Sequence, residues 1–191
     1  MMQKEKRLRI GLISDTHGYI DAWEKAVEMF KHVDLVIHTG DILSSGPFNP
    51  RLPSYKPTEL AKAINDAPFP VIFARGNCDA EVDAIALDYP IQSPYALVLV
   101  DNLRMMATHG HLHNEDELIE LGHRYKLDIM ISGHTHMEGI KKRDGLYLVN
   151  PGSALLPKGT RNVPTIGLIE DNQIRIVSLE DGIEIDKAEI K

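Results

Sequence analysis

The sequence predicts an α/β protein built from two mixed sheets packed face to face, with helices outside. Three observations predict it. In the first half, short apolar runs without polar alternation (8–13, 35–37, 71–74) take turns with segments of helical spacing. That is the pattern of parallel strands covered on both faces. In the second half, apolar runs come in pairs joined by Asp-Asn or Asp-Gly dipeptides, which mark tight hairpins. Finally, 191 residues at 43% hydrophobic and 26% charged can bury a substantial core, read as one domain over 1–191.

Taken in order, a strand at 8–13 leads to a helix at 21–31, where Trp23, Ala26, Val27 and Phe30 share one face. Asp21 and Glu24 have the spacing of a capping pair at its start, and His32 stands at its end, where a cation suits the dipole. Leu35-Val36-Ile37 is a second strand. A long loop from Thr39 to Pro57, rich in Pro and Gly, precedes a helix at 58–66 that turns Leu60, Ala61 and Ile64 inward. A loop of that length in a compact domain is more often functional than filler. The strand at 71–74 completes β-α-β-α-β, hence a right-handed parallel arrangement with ligands at strand C-terminal ends. Strands at 95–100 and 103–107 follow, joined at Asp101-Asn102. Asn114 and Glu117 are a second capping pair, opening a helix to about 125 with Leu118, Leu121 and Tyr125 on one side. A strand at 129–131 precedes hairpins at 138–143 with 146–149 and at 164–170 with 173–180, and a last strand at 183–189.

Composition excludes several classes of function. No apolar run approaches the ~20 residues of a membrane span, so no membrane partner is expected. The formal net charge of −7 argues against gripping long nucleic acid, and the one basic cluster, Lys141-Lys142-Arg143, reads as a solvated hairpin tip. A single cysteine, Cys78, permits no intrachain disulfide and suits a reducing, cytoplasmic setting.

Five segments carry chemistry: Asp15-Thr16-His17-Gly18, His38-Thr39-Gly40-Asp41, Arg75-Gly76-Asn77-Cys78-Asp79, Thr108-His109-Gly110-His111 and Ser132-Gly133-His134-Thr135-His136. Alone, an Asp or His after a strand is usually a cap or a solvated turn residue. Five such loops, four at the ends of buried strands, are instead expected to converge on one two-metal hydrolytic site. Mixed imidazole, carboxylate and amide donors suit Mn, Fe, Zn, Ni or Co, and such cations let an acidic protein take phosphate esters.

These motifs, with the Ser45–Tyr55 loop and the turn Asn150-Pro151-Gly152-Ser153, resemble those of the calcineurin-like metallophosphoesterases, and within them the YfcE-type phosphodiesterases. The resemblance implies a four-layer α/β/β/α sandwich, the metal-dependent phosphatase fold. It also implies hydrolysis of a small phosphodiester by a hydroxide bridging two divalent cations, manganese foremost, with Ni, Co, Fe or Zn as alternatives. By matching motif, Asp15, His17 and His136 would take one cation, Asn77, His109 and His134 the other, and Asp41 would bridge. A phosphomonoesterase, a small-nucleotide nuclease and a retromer-subunit-like scaffold are the alternative functions. Many relatives in the wider superfamily have His where this chain has Cys78. An unperturbed thiol is a poorer acid near neutrality and brings no positive charge, so Cys78 reads first as a packing residue and good leaving groups should be favoured. Asp79, left without that His, is expected to cap the turn. Arg75 is placed either on a phosphate oxygen or in an ion pair with Asp79 or Glu81, and His111 either on substrate or in a structural bond. His38 reads as a satisfied core histidine or one standing behind a metal ligand, and His113 and His123 as surface or helix-face groups. The 45–57 loop would cap the site or meet a second subunit of a homo-oligomer.

Overall fold

The computed structural model describes residues 8–100 and 102–190. Two sheets form its centre. The first has seven strands in the order β12-β11-β10-β1-β2-β3-β4, the second five in the order β5-β6-β7-β9-β8. Their ranges are β1 Ile10–Ile13, β2 Leu35–His38, β3 Val71–Ala74, β4 Ile91–Gln92, β5 Ala96–Val100, β6 Leu103–Ala107, β7 Ile129–Ile131, β8 Gly139–Arg143, β9 Leu146–Asn150, β10 Thr165–Glu170, β11 Gln173–Ser178 and β12 Glu184–Glu189. Helices α1 (Ile20–Met29), α2 (Pro57–Asn65), α3 (Asp83–Ala86) and α4 (Glu115–Tyr125) complete the described elements.

Three apolar clusters make the layering explicit. Ile10, Leu12 and Ile37 of the first sheet meet Ile129, Ile131 and Val149 of the second in a core between the sheets. On the far side of the first sheet, Val36 and Phe73 pack on Trp23 and Ala26 of α1 and on Leu60 and Ile64 of α2. On the far side of the second, Met106, Met130 and Leu146 pack on Leu118 of α4. Each such side chain contributes roughly 1.5–3 kcal/mol by leaving water. The α/β/β/α sandwich is therefore the observed architecture.

The expected parallel run is present: β1 pairs parallel with β2, and β2 with β3. In the second sheet β6, β7 and β9 are likewise parallel. Antiparallel hairpins form between β5 and β6, β8 and β9, and β10 and β11. Asp144, Asp171 and Asn172 take the positive φ that tight hairpin turns demand. Asp101, half of the turn expected between β5 and β6, lies outside the described residues.

Several details differ from expectation. The first helix starts at Ile20 and stops at Met29, and no side chain caps it. Its opening is instead set by backbone bonds, Tyr19 N–H to Thr16 O at 2.9 Å and Ile20 N–H to Ser54 O at 3.3 Å, so the Asp21–Glu24 pair does not form. His32 consequently stands beyond the helix end, exposed. As expected, though, Lys141 to Arg143 are exposed at the end of edge strand β8, beside the Asp144-Gly145 turn, with Lys142 Nζ 4.3 Å from the Tyr147 ring centroid. Lysines on an edge strand discourage further pairing.

The second capping pair does form. Asn114 accepts from the Glu117 N–H at 3.0 Å while the Glu117 carboxylate accepts from the Asn114 N–H at 2.8 Å. Asn114→Ala should therefore cost about 1 kcal/mol, read as a lowered midpoint in urea with an unchanged slope.

Candidate metal centre

Every motif loop leaves the C-terminal end of a strand: β1, β2 and β3 in one sheet, β6 and β7 in the other. The chain bends sharply at each exit. Among the described residues, Asp15 (φ 57°), His17 (49°), Asp41 (57°), His134 (66°) and His136 (58°) occupy the left-handed region. Such backbone costs on the order of 1 kcal/mol or more for a residue with a Cβ and gathers at functional sites. The loops also approach one another closely. A Cβ at Gly133 would collide with Ser14 Oγ and come within 3.0 Å of Asp15 Oδ2, and one at Gly76 would overlap Asp41.

The two carboxylates are treated alike. Asp15 Oδ2 accepts from the Ser14 hydroxyl and from the His134 N–H at 3.2 Å, whereas Oδ1 is buried with no hydrogen-bond partner. Asp41 Oδ1 accepts from the Cys78 N–H at 2.8 Å, whereas Oδ2 faces His109 Nε2 at 3.4 Å and His17 Nε2 at 3.7 Å. In each case one oxygen anchors the side chain and the other is left open.

The buried imidazoles of His17, His109 and His136 are also fixed from behind. His17 Nδ1 lies 3.0 Å from Ser44 O, His109 Nδ1 2.8 Å from Thr39 O, and His136 Nδ1 2.7 Å from Leu156 O. A carbonyl only accepts, so each Nδ1 carries the hydrogen and each Nε2 presents a lone pair. Those lone pairs converge: His17 Nε2 is 3.4 Å from His136 Nε2, and His136 Nε2 is 3.2 Å from the unpartnered Asp15 Oδ1. Lone pairs and anionic oxygens at such separations repel unless a cation sits among them. Asn77 Oδ1 at 3.0 Å and His134 Nδ1 at 3.3 Å surround His109 Nε2 in the same way. The seven side chains thus form two groups, Asp15-His17-His136 and Asn77-His109-His134, that meet at Asp41. The donor set fits divalent cations of the Mn-to-Zn series.

A family model described as the calcineurin-like phosphoesterase superfamily domain matches residues 8–172. The chain belongs to that superfamily. It is 34% identical over 176 residues to phosphodiesterase YfcE of Escherichia coli K12, covering 91% of this chain and 94% of the relative. The solved structure of the E. coli YfcE phosphoesterase superposes with a TM-score of 0.86 at 31% identity, over 96% of this chain and 100% of that one. Zinc-bound Vps29 of Entamoeba histolytica shares the fold, with a TM-score of 0.65 at 19% identity over 96% of this chain and all of the other.

Charge in this phosphoesterase is arranged to suit cations. Burial works to raise both acids, but His136, His109 and Ser14 hold Asp15 below the usual carboxylate range. For Asp41, His109, the Cys78 N–H and His17 do the same. Burial works to lower His109, and Asp41 and Asp15 outweigh it, so its pKa is raised. Burial, with His109 beside them, lowers His111 and His134. His38, fully buried, is pushed down to about 3 by burial. It accepts from the Gly40 N–H at 3.1 Å and lies 3.0 Å from the Thr16 hydroxyl, the neutral core histidine that was expected.

The remaining sequence candidates separate clearly. Arg75 is committed away from the centre, to Glu81 at 2.8 Å and to the Asp79 carbonyl at 3.2 Å, which is the ion-pair alternative. Asp79 accepts three N–H groups, from Ile42 at 2.6 Å, Gly76 at 2.7 Å and Asp41 at 3.0 Å, tying the β2 and β3 loops together. Burial raises its pKa against those bonds. Cys78 is half-buried; burial and then the Asp41 charge push its thiol up to about 12, so it stays protonated and uncharged. Its Sγ lies with His17 and Asp41 in a group spanning at most 4.8 Å, and the turn at Gly46 packs against it. His111 is exposed, its ring 5.4 Å from that of His109 and 6.0 Å from that of His134. His113 bonds the Tyr95 hydroxyl at 2.6 Å, and His123 is exposed. The Asn150–Ser153 turn braces the centre: Asn150 Nδ2 donates to Gly133 O at 3.0 Å, and Ser153 Oγ to Asp15 O at 3.1 Å.

A cavity of about 460 Å³ opens over the centre, lined by the 44–49 segment and by His134, His136 and Lys158. The proline-rich loop therefore does border the site. Asn49, whose Nδ2 lies 3.3 Å from His17 Nε2, and Lys158 carry no sequence signal, because an isolated amide or lysine in a loop looks like any solvated residue. Among the described residues, no helix is long and apolar enough to cross a membrane.

Proposed function

We propose that this chain is a phosphodiesterase working with two divalent cations, Asp15, His17 and His136 holding one, Asn77, His109 and His134 the other, and Asp41 shared. The observation that carries the reading is the arrangement of His17, His109 and His136, each fixed through Nδ1 to a carbonyl with Nε2 aimed at an open carboxylate oxygen. YfcE, a phosphodiesterase by name, supports the same choice of ester. When bound, the cations supply a Lewis acid for the phosphoryl group and a lowered pKa for the attacking water. The protein keeps the ligands aligned through the carbonyls of Ser44, Thr39 and Leu156, so little reorganisation is needed as charge develops. Manganese is the proposed native metal and the cytoplasm the proposed location, in keeping with the single cysteine.

Purified protein loaded with manganese should hydrolyse bis(4-nitrophenyl) phosphate faster than 4-nitrophenyl phosphate. Absence of diesterase activity with each of Mn, Ni, Co, Fe and Zn would refute the reading. Cys78 is uncharged and offers no imidazole beside the leaving group. Cys78→His is therefore expected to raise kcat for diesters with poor leaving groups by about tenfold or more, and to change kcat for nitrophenyl esters little. Equal effects on both classes would count against a missing acid at this position.

A further inference from the structure

Phe48 is the large apolar residue that the fold uses least, with 97% of its surface exposed. A single exposed apolar side chain is ordinary, so exposure alone means nothing. Its setting is what matters. The loop that carries it is pinned before the ring, where Ser44 O accepts from His17 Nδ1 at 3.0 Å, and again after it. Tyr19 donates its hydroxyl hydrogen to Pro50 O and accepts from the Leu52 N–H at 3.2 Å, while Lys56 N–H donates to Gly18 O at 2.8 Å. Asn49, the next residue, reaches His17. The backbone is therefore held against the metal centre while the ring is presented at the wall of the cavity above it.

Lys158 lines the same cavity. It is exposed, and among the described residues its ammonium group makes no hydrogen bond or ion pair. Its backbone is fixed by the bond from its N–H to His136 O at 2.8 Å. Among the described residues it is the one lysine or arginine in the cavity lining, in a chain of net charge −7, and Arg75, beside the Asn77 loop, is already spent on Glu81. The cavity lining thus offers a flat π-face and an uncommitted cation together with the proposed metal ligands.

We propose that these two residues set the substrate class: Lys158 pairs with a phosphate oxygen, and Phe48 stacks on a planar ring carried by one ester arm, a nucleobase or an aryl group. The inference rests on the phosphodiesterase reading and adds its selectivity. Stacking of a ring on an exposed aromatic side chain is lost on truncation to alanine at a cost of about five- to tenfold in affinity.

Equilibrium titration of metal-loaded protein with diphenyl phosphate and with diethyl phosphate tests this without relying on turnover. The intact chain should bind diphenyl phosphate about tenfold more tightly. Phe48→Ala should weaken diphenyl phosphate by about five- to tenfold and leave diethyl phosphate unchanged; Phe48→Trp should keep the preference and Phe48→Leu should lose it. Lys158→Ala should weaken both diesters by similar factors. Because Phe48 packs against nothing, its variants should melt with the parent, which keeps the comparison clean. Equal affinity of the parent for the two diesters, equal weakening of both by Phe48→Ala, or no binding of either would overturn the proposal. Ring-selective binding without hydrolysis of any diester would instead overturn the phosphodiesterase reading and leave the recognition wall standing.

Discussion

Asp41→Asn is expected to abolish diester hydrolysis, lowering kcat/KM by about a thousandfold or more, and to reduce the content of both cations rather than one. The reasoning starts from the two oxygens. Oδ1 is used by the Cys78 N–H, so asparagine can keep that bond with its own oxygen and the loop should stay in place. The cost then falls on the other atom, where an open anionic oxygen between His109 and His17 becomes a neutral NH2 that cannot ligate. Losing the Lewis acid removes several kcal/mol of transition-state stabilisation, and each 1.4 kcal/mol is tenfold in rate. Metal analysis of the purified variant, with circular dichroism to verify the fold, decides the matter. Two cations per chain at the parental level would exclude Asp41 as the shared ligand, and loss of only one would restrict it to a single group.

That the proposed ligands stand out in the sequence follows from where they lie. Asp15, Asp41, Asn77, His109 and His134 each lie within four residues of a strand's last residue, so the local pattern of apolar run, polar ligand and glycine survives without knowledge of the fold. What the fold alone decides was harder to see. Strand β10 enters the first sheet antiparallel beside β1, a pairing between segments more than 150 residues apart that no turn signal announces. The two-residue β4 and four-residue α3 are too short for periodicity to register. Capping chemistry succeeded at Asn114, which stands at the N-cap position, and failed at Asp21, which lies inside a helix already begun at Ile20. Lys158 enters the cavity only because the segment after Ser153 folds back over His136, a tertiary accident from the viewpoint of sequence.

Asp79→Ala should produce the largest loss of stability among single changes near the centre, about 3–4 kcal/mol, or a fall in Tm of about 10 °C for a chain of this size. The carboxylate is buried and accepts from Gly76, Asp41 and Ile42, so truncation strands three backbone donors in a place water reaches poorly. Two of those donors belong to residues 41 and 42 and the third to residue 76, next to Asn77, so the same bonds set the spacing between the proposed shared ligand and the proposed amide ligand. Metal affinity should accordingly drop by about 10–100-fold, the range seen when groups that orient ligands are removed. The melting comparison belongs in chelator, where cation binding cannot stabilise the parent preferentially. Asp79→Asn is the informative companion. It fills the same space but offers a single accepting oxygen, and its NH2 would face a donor, so it should recover less than half of the lost stability. If Asp79→Ala melts with the parent, the three bonds contribute nothing and the joining of the two loops must come from the Cys78 N–H bond to Asp41 and the close approach at Gly76.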